Sequence, residues 1–190
     1  MSSPDGGRPS SAPGDTDRRT TVLDAALSTF ARFGYRKTSM EEVARAARIS
    51  RPGLYFLFAS KEELFRAAVT QALERDLSAV ERVLADTERP LTERLVEAFD
   101  QWAGRYVGPL SRDVTEVIEA NPELLGEILQ TAPRRFEELV TAAIAVRTGR
   151  KAAVGIARTM ISASIGLKHQ APSREFFLER LKVAVELLTR

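Results

Sequence analysis

Residues 48–56, RISRPGLYF, set two guanidinium groups, a serine hydroxyl, a phenol and a phenyl ring within a single short segment. Guanidinium forks and hydroxyls in such a cluster suit the binding of anionic oxygens better than the breaking of bonds. The charge around them points the same way: from residue 18 to residue 61 nine Lys or Arg stand against three acids, a net +6, while the rest of the chain carries a net −4. A basic N-terminal segment on a mildly acidic body predicts a polyanionic partner for the first part only.

Bond-making chemistry finds little to work with elsewhere. Cys is absent, which removes disulfides, thiolate metal sites and Cys nucleophiles. The single His, His169, falls in a predicted loop beside Lys168. Glu116 and Glu119 share a helix face, yet a carboxylate-metal bundle needs Glu-x-x-His pairs on facing helices, and none is present. There is no Ser-His-Asp set, P-loop or Gly-rich dinucleotide loop. The sequence therefore predicts no catalytic residue, no metal site and no cofactor.

The elements that must position the basic segment are helical throughout. Residues 1–17 are mostly Ser, Pro, Gly, Asp and Thr and predict a disordered tail, with Arg18 and Arg19 at its edge as the cations able to contribute to binding. Val22, Leu23, Ala26, Leu27, Phe30 and Phe33 recur at 3.6-residue spacing and predict a first helix ending at Gly34. Thr38 and Ser39 each precede a Glu by three residues, a doubled capping-box signature for a short second helix. Ser50 as N-cap and Pro52 in the first turn predict a short third helix, and Ser60 with Glu63 opens a long fourth one. Beyond Pro90 the pattern predicts helices over 91–107, 113–120, 122–146 with a bend at Pro133, 150–167 and 173–189. About nine helices result, in an all-α fold.

Two short helices around a tight turn at Ile49 have the layout of a helix-turn-helix. Leu23, Ala26, Phe30, Gly34 and Tyr35, followed by TSMEEVARAARIS, RPGLYFLF and SKEELF, give residues 18–66 a specific resemblance to the N-terminal domain of the TetR/AcrR family of bacterial transcriptional regulators. The resemblance implies a three-helix DNA-binding head over 18–62 and a ligand-binding, dimerising antiparallel helical bundle over 63–190. It implies that Leu54 and Phe58 pack the recognition helix inward while Tyr55 turns outward to a phosphate. Thr38, Ser39 and Lys61 are further positioning candidates, and Arg48, Ser50, Arg51 and Gly53 are candidates for base readout. Phe56 either meets a thymine methyl or packs on a neighbour. Two positions depart from the family pattern: Arg48 stands where Gly is usual, which strains the turn if it needs a positive φ, and Gly53 stands where a Thr, Ala or Ser is usual.

In the body, Phe99, Trp102 and Tyr106 form an aromatic stripe whose polar tips suit a pocket for a small, mostly apolar effector; Arg105, Glu116, Phe136 and Met160 are further lining candidates. Small residues including Ala153 and Ala157, with Ile156 beside them, mark the penultimate helix, and Phe177, Leu181, Ala184 and Leu188 mark an apolar last helix. By resemblance these two helices pair with their two-fold copies in a homodimer on a palindromic double-stranded operator. The same head without an effector would be a structural or partner-controlled DNA-binding protein, and only the Trp102 region separates the two readings. With no apolar run long enough to span a bilayer, the expected setting is cytoplasmic and nucleoid-associated, without a membrane partner.

Overall fold

Four serines decide where four of the helices begin. The side-chain oxygens of Ser39, Ser50, Ser60 and Ser173 each accept a hydrogen bond from the backbone N–H three residues on, at Glu42, Gly53, Glu63 and Phe176. Each bond satisfies a donor that the helix itself cannot. The computed structural model describes residues 13–107, 118 and 122–190, with side chains from residue 17 onward. Among them the helices are α1 (Pro13–Phe33), α2 (Met40–Ala46), α3 (Arg51–Leu57), α4 (Lys61–Ala85), α5 (Leu91–Trp102), α6 (Pro122–Leu125), α7 (Ile128–Thr148), α8 (Arg150–Gln170) and α9 (Arg174–Leu188). A 3₁₀ turn, Gly104–Tyr106, follows α5. The described residues contain no strand, and no helix among them is long and apolar enough to cross a membrane.

Two apolar cores organise these elements. The head core gathers Val22, Ala26 and Phe30 from α1, Val43 and Ala44 from α2, Leu54 from α3 with Phe58 just after it, and Leu64, Phe65 and Val69 from α4. Leu124 and Leu125 of α6 join it from the body side. The body core joins α4, α5, α7, α8 and α9 through residues such as Val80, Leu95, Phe99, Phe136, Ile144, Met160 and Phe177. The long α4 is common to both, so it mechanically links them.

Several expected boundaries shift for identifiable reasons. α1 begins at Pro13, whose missing N–H costs nothing at a helix start, so the expected tail runs on as helix from there. α5 stops at Trp102, and just beyond it the chain passes close to its neighbours: a Cβ on Gly104 would collide with Asp100 Oδ1 and lie 3.0 Å from Phe177 Cε1. Asp100 is held there by Arg174, whose Nε donates to its Oδ1 at 2.8 Å. The expected helix over 122–146 is broken at Gly126, where φ is +60°, giving α6 and α7. Pro133 lies inside α7. α8 runs on to Gln170, so His169 belongs to a helix and not to a loop. The expected helix over 113–120 lies outside the described residues apart from residue 118.

The turn between α2 and α3 confirms the suspicion about Arg48. Its φ is +55°, the only positive value among described non-glycine residues. Arg48 N–H donates to Arg45 O at 3.1 Å and Ile49 N–H to Ala44 O at 3.0 Å, which is the Schellman pairing with Arg48 at the position that favours glycine. Arg48→Gly is expected to raise stability by about 1 kcal/mol, visible as a rise of roughly 2–4 °C in the unfolding midpoint. A loss of DNA affinity in the same variant would separate a contact made by the Arg48 side chain from the strain of its backbone.

Candidate functional site

The outward face of α3 is defined by what locks its inward face. Leu54 and Phe58 are fully buried against the head core, where Phe30, Tyr35 and Phe65 pack with ring centroids 5.0–5.7 Å apart. From α1, Arg19 lays its guanidinium 4.3 Å from the Phe58 ring centroid and donates from Nη1 to Leu57 O at 3.3 Å, closing the C-terminal end of α3. The remaining side of α3 turns to solvent: Arg51 and Pro52 are exposed, Tyr55 is 43% exposed and Phe56 is 89% exposed. The packed alternative for Phe56 is thereby removed. Arg51 holds its guanidinium 5.7 Å from the Tyr55 ring centroid, so charge and ring form one surface.

Gly53 supplies the gap in that surface, and α1 reaches towards it. A Cβ built at Gly53 would lie 3.0 Å from Ser50 Oγ and 3.9 Å from Nη2 of Arg18. Arg18 thus projects beside the residue that has no side chain, from an α1 that starts early enough to hold it in helix. Ser50 accepts from Gly53 N–H at 3.1 Å, which leaves its hydroxyl hydrogen as a donor at the exposed start of α3. Arg48 is exposed on the turn itself.

Other expected positioning residues are placed differently. Thr38 is 2% exposed, and its hydroxyl donates to Gly34 O at 2.8 Å, so it is neither a cap nor a surface donor. Ser39 is exposed, but its hydroxyl and backbone N–H both donate to Glu42 Oε2, at 2.8 and 2.7 Å. Lys61 folds back: Nζ donates to Tyr35 O at 3.0 Å and to Thr38 O at 3.1 Å, and lies 4.5 Å from the Tyr35 ring centroid. The spacing of Lys61 from the N-cap suggested a free cation, whereas the two loop carbonyls that it bridges are distant in sequence and gave no signal. Lys61→Met is expected to cost about 1–3 kcal/mol of stability through the carbonyls it leaves unpaired. The salt dependence of DNA binding should stay unchanged, as checked by thermal unfolding and by binding titrations at two salt concentrations.

A second site lies where head and body meet. A cavity of about 360 Å³ is floored by Leu27 of α1 and by Val69, Ala72 and Leu73 of α4. Pro133 and Phe136 of α7, Ile161 and Ile165 of α8, and Trp102, Ala103 and Ile118 complete its apolar wall. Tyr106, Ser164, Lys168 and His169 bring the polar atoms. Trp102 stacks on Phe136 with ring centroids 4.8 Å apart and planes 9° from parallel, and Phe99 meets Phe136 edge-on at 5.1 Å. Of the expected lining residues, Trp102, Tyr106 and Phe136 reach the cavity. Phe99 and Met160, both 0% exposed, belong to the core behind it, and Arg105 points elsewhere. Glu116 lies outside the described residues. Sequence spacing gives no sign of His169 or Leu27 at the cavity, since it reads the first as loop and the second as head core.

Behind Tyr106 lies the one fully buried acid among the described residues. Asp76 of α4 is 0% exposed; Arg105 Nη1 donates to its Oδ1 at 2.7 Å and the Tyr106 hydroxyl donates to its Oδ2. Burial pushes the Asp76 carboxyl above its ordinary range, against the opposing pull of Tyr106 and Arg105. Burial, and then the neighbouring carboxylate, push the Tyr106 phenol up, so it stays a neutral donor. Asp76 lies one and two turns beyond Ala72 and Val69 on α4, so the bond ties the cavity wall to the helix that forms its floor.

The dimer expectations divide. Ala153, Ala157, Phe177 and Leu181 are 0% exposed and packed within the protomer, so they are not available to a partner. The spacing that marks an apolar helix face does not say which neighbour covers it. Ile156, Ala184 and Leu188 are half-buried, while Val183 and Leu187 of α9 are 53% and 58% exposed.

Residues 22–68 match the family model for bacterial regulatory proteins of the tetR family. The chain is 31% identical over 121 residues to the HTH-type transcriptional regulator EthR of Mycolicibacterium smegmatis, covering 62% of this chain and 55% of that one. It is 30% identical over 89 residues to the nicotine-responsive repressor HdnoR of Paenarthrobacter nicotinovorans, covering 46% of this chain and 45% of that one. The matches therefore span about half the length of these curated relatives. The fold superposes on a TetR-family regulator of Mesorhizobium loti with a TM-score of 0.75 at 19% identity, covering 91% of this chain and 95% of the other. With the head sequence and the helix-turn-helix geometry in agreement, residues 22–68 form a DNA-binding domain of the tetR family of bacterial regulatory proteins, and the whole chain shares the fold of TetR-family structures.

Proposed function

We propose that the protein is a sequence-specific DNA-binding transcriptional regulator, acting as a repressor that a small, mostly apolar effector releases from a palindromic operator. The observation that carries this reading is the division of α3: Leu54 and Phe58 anchor it completely, and Arg51, Tyr55 and an 89% exposed Phe56 stand on the side left open among the described residues. A short helix so presented fits the major groove, with Arg18, Tyr55 and Ser50 suited to phosphate oxygens and Arg51 and Phe56 to base edges. Arg48 and Ser39 flank the same surface, and Gly53 lets Arg18 approach it.

The cavity supports the effector half of the reading. Its floor is α4, whose first residue holds the α1–α2 loop through Lys61 and whose Asp76 holds Tyr106. An effector that moves α4 therefore acts on the base of the head, and a coupling of roughly 1–3 kcal/mol suffices to release an operator. The similarity to a nicotine-responsive repressor is consistent with a ligand-controlled member.

Two heads are needed for a palindrome, and the outer faces of α8 and α9 are the proposed dimer surface. Val183 and Leu187, four residues apart on α9, form its exposed apolar centre. The double variant Val183→Glu, Leu187→Glu should sediment as a monomer and lose at least tenfold in operator affinity, with the helical signal retained. The direct test of the whole reading is selection of bound sequences from a random duplex pool, followed by a salt titration on the winner. A palindrome with half-sites about 34–36 Å or more apart and steep salt dependence is expected; no sequence preference would sink the proposal.

A further inference from the structure

We propose that the loop between α1 and α2 is a second DNA-binding element, in which Arg36 and Lys37 bind backbone phosphates at the opposite end of α3 from Arg48 and Arg51. This rests on the reading of α3 as the recognition helix. The loop is fixed on both sides of the pair. Before it, Gly34 takes a φ of +78°, and the Tyr35 ring packs on Phe30 and Phe65 with centroids 5.7 and 5.0 Å away. After it, Thr38 is buried and donates to Gly34 O at 2.8 Å. The partly buried Lys61 ammonium closes the loop, because the two carbonyls it reaches, Tyr35 O and Thr38 O, bracket Arg36 and Lys37. Lys61 thus takes the inner side, and Arg36 and Lys37 are both exposed. A backbone already ordered lowers the entropy that binding costs.

Other cations of the head are engaged within the protein. Arg19 and Arg32 lie over the Phe58 and Phe33 rings, Arg66 donates to Leu124 O, and Arg75 pairs with Asp24. Arg36 and Lys37 make no hydrogen bond, ion pair or ring contact among the described residues. Glu41 and Glu62, in the first turns of α2 and α4, are the acids nearest to the loop and its brace in sequence, and neither pairs with them. Location gives the pair its use. Lys61 opens α4 just past the end of α3, so its bonds place the loop beside the C-terminal end of α3, while Arg48 and Arg51 stand at the N-terminal end. At 1.5 Å per residue the seven residues of α3 span roughly 10 Å. A major groove is about 12 Å wide, so cations at the two ends of α3 stand about as far apart as the phosphate strands that edge it. Contacts to both strands fix the register of the helix without reading sequence.

The test is binding of the full-length protein, over a range of salt concentrations, to a random-sequence duplex and to the duplex selected from that pool. The double variant Arg36→Ala, Lys37→Ala is expected to weaken both by about tenfold or more and to lower the slope of log affinity against log salt by about 2–4 for two heads. The selected sequence and the unfolding midpoint should not change. Arg36→Lys with Lys37→Arg should keep the slope, which separates charge from loop structure. Neutral methylphosphonates placed one at a time along a half-site locate the contact: the replacements at this loop weaken the parent protein but have no further effect on the double Ala variant. An unchanged salt slope, a changed sequence preference, or a methylphosphonate profile identical to the parent's overturns the loop assignment and leaves the recognition helix standing. If the parent protein binds neither duplex, both readings fall together.

Discussion

Asp76→Ala should be the most destabilising single change on the polar side of the cavity, lowering the unfolding free energy by about 2–4 kcal/mol. The carboxylate is fully buried on α4, and its removal leaves the Tyr106 phenol and the Arg105 guanidinium without their acceptor. Because the Arg105 side chain is 36% exposed and can recover hydration, the cost falls short of breaking a completely buried pair. A drop of roughly 5–15 °C in the unfolding midpoint follows. Asp76→Asn keeps an acceptor for Tyr106 and removes the charge, so its effect should be smaller and should depend on pH in a defined direction.

Burial raises the folded-state pKa of Asp76 above the unfolded value of 3.8, so in that interval the folded protein binds the proton more readily than the unfolded chain. The contribution of Asp76 to stability is complete below 3.8 and declines as pH rises through its elevated folded pKa. Melting curves of the parent protein and Asp76→Asn across that range should converge with rising pH. Curves that diverge instead would mean that Arg105 and Tyr106 outweigh desolvation. The same link predicts a functional phenotype for Tyr106→Phe: the unliganded protein should hold its operator as before, while effector binding weakens operator affinity much less, because occupancy is no longer transmitted through Asp76 to α4.

The head was legible in the sequence to a degree the body was not, and the residues show why. Capping serines, Gly34, the Leu54 and Phe58 anchors and the outward Tyr55 are fixed by local rules and by neighbours within the motif, and the structure places them as expected. Lys61 and Thr38 failed because their partners are backbone carbonyls: Lys61 reaches those of Tyr35 and Thr38, and Thr38 that of Gly34. In the body, an apolar stripe records that a face is covered but not by what. Phe177 and Leu181 therefore looked like an interface and proved to be core, and Phe99 looked like a pocket wall and proved to lie behind one. Asp76 gave no signal at all, since an acid in a long charged helix is ordinarily solvated, and only the turn at Gly104 brings Arg105 and Tyr106 onto it.

Replacement of Arg18, Arg51 and Tyr55 together by Ala, Ala and Phe should weaken operator binding by about 100- to 1,000-fold, or roughly 3–4 kcal/mol, without lowering the unfolding midpoint. None of the three holds the head together: Arg18 and Arg51 are exposed, Tyr55 is 43% exposed, and the packing of α3 depends on Leu54, Phe58 and Arg19 instead. Loss of two cations from each of two heads should also reduce the slope of log affinity against log salt by about 2–4. The single variants divide the effect by mechanism. Arg18→Ala, beside the backbone of Gly53, should weaken all sequences alike if its guanidinium meets a phosphate. Arg51→Ala should additionally flatten the preference at one position of each half-site by about 1–3 kcal/mol if its fork reads a guanine. An unchanged salt slope in the triple variant would place the nucleic-acid surface elsewhere on the protein, whereas an unchanged sequence preference in Arg51→Ala would move base reading to Phe56 and to the shape of the operator.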